Sequence, residues 1–125
     1  MGNFVNKLEL AQALQIRTKQ FAIRIIGAFS DLPKTEASRV IGRQFVRFGT
    51  AIAANYRAAC RARSQAEFVS KISIVVEETD ETLFWLELVM EAQLVSASKL
   101  EQLRSECTEL LKIFSGSLTT AKSNR

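Results

Sequence analysis

Four acidic side chains crowd one short stretch of this 125-residue chain: Glu77, Glu78, Asp80 and Glu81. Carboxylates at that density are raw material for a metal site or for acid–base chemistry. A carboxylate metal centre in a helical bundle, however, needs inward-facing glutamates and adds Glu-x-x-His pairs. The chain has no histidine, which removes the second half of that motif, the commonest general base and the middle member of most nucleophilic triads. Cys60 and Cys107 are too few for a disulfide framework and lack metal-ligand spacing. Both fall in apolar helical patterns, where cysteine acts as a small hydrophobe and its thiol is expected to be quiet. Glycine-rich phosphate loops and nucleophile elbows are absent from the sequence. The expectation is a non-enzymatic protein with no cofactor, no metal and no small-molecule substrate.

Arginine carries a different chemistry, bidentate pairing with carboxylate or phosphate. With Arg43 as zero and about 100° per residue, Arg61 falls near 0°, Arg39 and Arg57 near −40° and Arg47 near +40°. These five arginines share a wedge about 80° wide and a row roughly 33 Å long. Glu77, Asp80, Glu87 and Glu91 form a comparable wedge further along the chain, with Phe84 set among them. A charge row opposite an apolar stripe is first of all a solvated helix face. The exclusive use of arginine between residues 35 and 70 favours a contact surface instead.

Helices must position these rows. Hydrophobic residues make up 47% of the chain and charged residues 24%, with only one proline and five glycines, which fits a globular helical domain and disfavours a many-turned β fold. A first helix is expected from Leu8 to Ser30, with a seam of Leu14, Thr18, Phe21, Ile25, Ala28 and Leu32, ended before Pro33. A second, from Thr35 to Arg63, buries Ile41, Phe45, Phe48, Ile52, Tyr56 and Ala59. Its Gly42 and Gly49, one heptad apart, read as close helix packing. Ser64 and Glu67 form a capping box that starts a third helix, with Phe68, Ile72, Val75, Thr79, Leu83, Leu86 and Met90 on one face. Ser98 and Glu101 make a second capping box for a fourth helix carrying Leu100, Leu103, Cys107, Leu110, Phe114 and Leu118. The tail from Thr119 is polar and expected to fray. Short connections between amphipathic helices of about 20 to 29 residues predict an all-α, antiparallel up-down-up-down four-helix bundle forming one domain over residues 1–125.

Net charge is +4 and unevenly spread: residues 35–71 carry seven bases against two acids, and residues 72–98 carry six acids and no base. No apolar run approaches the roughly 20 residues of a membrane span, and Met1 to Asn6 has neither a basic start nor an apolar signal stretch. A cytoplasmic protein without a membrane partner is expected. On the first helix, Ile16 and Ile23 lie opposite the seam, with Ile26 beside them, so apolar surface faces outward there.

The string Asn55-Tyr56-Arg57-Ala58-Ala59-Cys60-Arg61-Ala62-Arg63-Ser64 closely resembles the bacterial proteins encoded in intervening sequences of 23S ribosomal RNA genes. Supporting segments are Arg17-Thr18-Lys19-Gln20-Phe21-Ala22, Leu32-Pro33, Ile41-Gly42-Arg43-Gln44, Glu77-Glu78-Thr79-Asp80-Glu81 and Trp85-Leu86-Glu87-Leu88, so that the likeness spans residues 14–120. The resemblance implies a four-helix bundle assembling into a ring of five. It also implies kinship with the accessory protein of diversity-generating retroelements, a basic pentamer that binds nucleic acid and a reverse transcriptase. It carries over no catalytic residue.

Two expectations follow for partners. In the first, the chain is a homo-oligomer whose basic surface engages nucleic acid, structured RNA above all, or a protein bound to it. Tyr56, Arg57 and Arg61 would form that contact, with Tyr56 stacking on a base if its ring is not fully buried. In the second, the assembly is purely structural and serves a protein client. In either, Arg39, Arg43, Arg47, Glu77, Asp80, Glu87, Glu91, Ile16 and Ile23 are candidates for the subunit interface, because opposite rows on one chain can meet head to tail and close a ring.

Overall fold

The computed structural model describes the backbone of residues 2–124 and the side chains of residues 6–124. The N-terminal residues read for a targeting signal lie for the most part outside the described side chains. Four helices follow one another: α1 Gly2–Phe29, α2 Glu36–Cys60, α3 Gln65–Glu91 and α4 Ala97–Ser123. Each packs on its neighbour in sequence, and α1 meets α4 far less closely than the other adjacent pairs. The result is an antiparallel up-and-down bundle.

The helix starts are set by small polar residues. Thr35 Oγ1 accepts from the Ser38 N–H at 3.2 Å, and Ser64 Oγ accepts from the Glu67 N–H at 3.1 Å, each satisfying an amide that the first turn leaves free. Glu67 turns to Arg63, at 3.8 Å, making the second half of the box an ion pair. The expected Ser98–Glu101 box does not form. Ser96 is the N-cap of α4, its side chain bonds no amide of the first turn, and its hydroxyl hydrogen-bonds that of Ser98 at 3.3 Å instead. The pause before α4 is a Schellman motif: Gln93 adopts φ 58°, with Leu94 N–H on Val89 O and Gln93 N–H on Met90 O, both at 3.1 Å.

Two helix ends differ from expectation. α1 starts at Gly2 rather than Leu8, and α4 runs to Ser123 rather than fraying at Thr119. Ala121 is buried and Gln65 Nε2 donates to its carbonyl at 3.0 Å, which ties the last turns of α4 to the start of α3.

The core contains most of the predicted seams on α1, α2 and α4: Leu14, Phe21 and Ile25, then Phe45, Ile52, Tyr56 and Ala59, then Leu100, Leu103, Cys107, Leu110 and Phe114. Ala28, Leu32, Ile41, Phe48 and Leu118, expected with them, are half-buried. On α3 the buried stripe sits one position over in places. Val69, Thr82 and Val89 are buried, whereas Phe68, Leu83 and Met90 are half-buried. α3 packs closely against α2 and α4 at once, so its inward face is wider than a single seam. Thr82 is tolerated there because its hydroxyl donates to Glu78 O at 2.7 Å, as Thr18 does to Leu14 O at 2.8 Å and Thr79 to Val75 O at 2.7 Å.

Candidate interaction surfaces on the outer helix faces

The arginine row stands where the wheel placed it. Gly42, Phe45, Gly49, Ile52, Tyr56 and Ala59 are turned inward, so Arg39, Arg43, Arg47 and Arg57 project from the opposite side of α2, with Arg61 at its C-cap, and all five are exposed. Arg39 pairs with Glu36 at 3.2 Å on its own helix. Among the described residues, Arg43, Arg47, Arg57 and Arg61 make no ion pair. The Arg47 guanidinium instead lies 5.6 Å from the centre of the Phe48 ring, a cation–π distance.

The acidic cluster divides. Glu77, Asp80, Glu81 and Glu91 are exposed on α3 and make no ion pair among the described residues. Glu78 is half-buried and accepts from Asn55 Nδ2 at 2.7 Å. Burial raises its pKa, and the Asn55 bond and the charge of Arg47 pull it partly back. Glu87 is half-buried and close enough to α4 to act on the charge of Arg104. It therefore leans toward α4 rather than standing in the outer row as expected. No group of three or more metal-ligating side chains converges among the described residues.

Phe84 is the apolar member of the acidic face, 53% exposed. Its ring meets the half-buried indole of Trp85 edge-on, with centroids 5.0 Å apart and planes at 78°, a favourable aromatic geometry.

On α1, Ile16, Ile23 and Ile26 are exposed as expected. Ile26 and Phe29 join Val46 of α2 in a pit of about 330 Å³, flanked by Arg43 and Arg47. Neither Phe29 nor Val46 stands out in the sequence by type or spacing. The available signal was Gly42, which seats the Phe29 ring: an added Cβ would lie 2.5 Å from it.

Two expectations are corrected. Tyr56 is buried and cannot stack a base; its ring packs on Phe114, with centroids 4.9 Å apart, and burial raises its pKa. Its wheel position lies on the Ile52–Ala59 stripe, and that stripe wins over its proximity to the arginines. Cys60 is exposed rather than part of the core. Its thiol is nonetheless held above the ordinary value by partial desolvation, with Tyr56 and Gln15 pulling the other way. Cys107 is buried, donates toward Thr79 O at 3.5 Å and is pushed up to about 12 by desolvation.

At the other end of the molecule, α1 and α4 splay around a groove of about 920 Å³ lined by Leu8, Leu14, Tyr56, Cys60, Phe68 and Gly116 among others. One clamp crosses between these helices: Arg17 donates through Nε and Nη2 to the two carboxylate oxygens of Glu106, each at 2.7 Å.

Comparison with known families places this bundle. The family described as 23S rRNA-intervening sequence protein matches residues 9–116. The chain belongs to that family. A crystallised protein of Bacteroides thetaiotaomicron, described as having unknown function and as coming from the S23 ribosomal protein family, shares 31% identity with it. That match covers 83% of this chain and 96% of the other, with a TM-score of 0.77. Among curated proteins none matches. The matched region contains the whole arginine row, the whole acidic row and the α1–α2 pit.

Proposed function

We propose that this family member is a non-enzymatic, cytoplasmic module that assembles head to tail into a ring, with five subunits as the expected number. In this reading the ring presents Arg57 and Arg61 to the phosphate backbone of structured RNA. The observation that carries it is the absence of internal partners for two opposite charge rows. Arg43, Arg47 and Arg57 of α2, Arg61 at its C-cap and four acids of α3 stand exposed, and no ion pair among the described residues uses them.

Geometry supports a ring. The arginine row on α2 and the acidic row on α3 are different patches of one chain, so their pairing is a head-to-tail contact, the kind that closes into a ring when the rotation allows. The lower part of the row, Arg43 and Arg47, borders the apolar pit and suits a subunit contact. Arg57 and Arg61 lie near the α2–α3 turn, away from that pit, and remain open to phosphate. The family description and that of the solved relative both refer to ribosomal material, which agrees with an RNA client. Catalysis finds no support: the chain has no histidine, and Glu78, the carboxyl raised by burial, is held by Asn55.

Light scattering should return five times the 14.0 kDa chain mass, and a 14.0 kDa particle at micromolar concentration would overturn the ring. Anisotropy of a labelled RNA hairpin should show affinity falling about tenfold per two phosphate contacts over a fourfold rise in salt. Arg57→Ala with Arg61→Ala should weaken that binding and leave the mass unchanged. RNA binding unaltered by the pair would move the assembly to a purely structural role with a protein client.

A further inference from the structure

The exposed aromatic on α3 and the apolar pit between α1 and α2 are complementary in shape, charge and height. Resting on the ring reading above, we infer that Phe84 of each subunit inserts into the Ile26–Phe29–Val46 pit of the next copy, between Arg43 and Arg47.

Shape comes first. Phe84 is 53% exposed, a large apolar ring directed outward from the centre of an acidic face. Solvated charge faces do not need such a residue, and its only aromatic neighbour among the described residues is Trp85, edge-on at 5.0 Å. The pit is about 330 Å³, walled by Ile26, Phe29 and Val46, roomy enough for one phenyl ring. Ile26 is 53% and Phe29 38% exposed in the isolated chain, so apolar surface there is open to cover.

Charge agrees. On a helix wheel Asp80, Glu81, Glu77 and Glu91 lie three, four or seven residues from Phe84 and surround it on the outer face. Arg43 and Arg47 flank the pit. An aromatic anchor rimmed by acids, entering an apolar hole rimmed by arginines, has the anatomy of an interface hot spot: a dry centre with a charged border. None of these charges has an internal ion-pair partner among the described residues.

Height decides between this contact and any other pairing of the two faces. In a ring whose axis runs parallel to the helices, rotation moves nothing along that axis, and a knob then sits level with its hole. Phe29 rides on Gly42 and Ile25 on Gly49, which sets Ile26 and Phe29 beside the Arg43–Arg47 stretch. On the other side, Asn55 bonds Glu78 and the charge of Arg47 reaches Glu78. Counting antiparallel from the Asn55–Glu78 bond places Phe84 level with Gly49 of α2, about one turn from Val46. Knob and hole occupy the same layer of the bundle.

The test uses the full chain with Cys60→Ser as background, since Cys107 is buried. Phe84→Cys and Val46→Cys are made separately, mixed, allowed to exchange subunits and oxidised. A disulfide between the two different variants, absent from either variant alone, is the expected result. Phe84→Ala should raise the dissociation constant of the assembly at least tenfold while leaving the helical circular dichroism unchanged, because the ring lies outside the core. A wild-type ring that survives Phe84→Ala at the same concentration and gives no mixed disulfide overturns this contact and leaves the ring reading standing. Loss of RNA binding by Phe84→Ala with unchanged mass assigns the face to RNA and overturns it too. A wild-type monomer removes both readings together.

Discussion

Helix α1 has two neighbours and meets them in different ways. Against α2, glycines lie beneath large side chains: the Phe29 ring sits over Gly42, and the branched carbons of Ile25 sit over Gly49. The two backbones close until no Cβ would fit. Against α4 the helices part around a groove of about 920 Å³, although α4 also offers a glycine, Gly116. A Cβ added there would meet nothing within 4 Å. A small residue closes a seam only when its partner places a large side chain on it. Without that knob it leaves a gap, and the α1–α4 seam is crossed instead by the Arg17–Glu106 pair. The closed seam also carries the function proposed here, since the same approach that seats Phe29 on Gly42 builds the wall of the α1–α2 pit.

The sharpest way to break this contrast is to add one methyl on each side. Gly49→Ala would set its Cβ 2.8 Å from Cγ1 and Cγ2 of Ile25, atoms near the backbone that cannot swing aside. A loss of about 1–3 kcal/mol in urea unfolding is expected, more than the roughly 1 kcal/mol that alanine gains over glycine in a helix. Gly116→Ala, with open space around it, should show the propensity alone and gain about 0.5–1 kcal/mol. Equal signs for the two would mean that the seams do not differ.

Removal of the clamp sharpens the other side of the comparison. Arg17→Ala deletes a bidentate ion pair whose side chains are 37% and 20% exposed, so the expected loss is near the upper end for surface pairs, about 1 kcal/mol. Amide exchange should quicken in the first half of α1 and the second half of α4 while α2 is unchanged. Uniform acceleration throughout the bundle would show that the α1–α4 seam is no weaker than the rest.

The smallest effect belongs to the α2–α3 seam, a third way of joining helices, through Asn55 and Glu78 at 2.7 Å. Burial raises the Glu78 pKa above its ordinary value, so in the acidic window between the unfolded and folded values the native state holds the proton more tightly. Stability is therefore lost as pH rises through that window. Glu78→Gln keeps an oxygen for Asn55 and removes the charge. Its melting temperature should exceed the wild type's at pH 7, and the advantage should vanish at low pH. An advantage that grew on acidification would reverse the assigned sign.

Much of this architecture was open to reading before any coordinates. The Leu14–Phe21–Ile25 seam, the Ser64 cap and the heptad-spaced glycines of α2 each depend on interactions within a turn or two, or on a periodicity that one helix imposes by itself. The arginine row was legible for the same reason, because residues on one helix share a face whatever the helix packs against. Cys60 and Glu87 were misplaced because each sits near a boundary between faces, where the neighbour's position settles burial, whereas Tyr56 lies on the core stripe as its spacing predicts and only its stacking role fails. Thr82 was not among the residues expected on the inner face of α3; it is buried there with its hydroxyl donated to the Glu78 carbonyl.

Composition, periodicity and caps by themselves determined that four helices form, nearly where they begin, and which charges each presents. Tertiary structure alone decided which seam closes, that Phe29 and Val46 share a pit, and that Phe84 stands within about a turn of it. The physical reason is range. Helix formation and facing are encoded by contacts three and four residues apart, whereas a pit between helices exists only once two segments far apart in the chain have fixed their separation and register through side-chain packing.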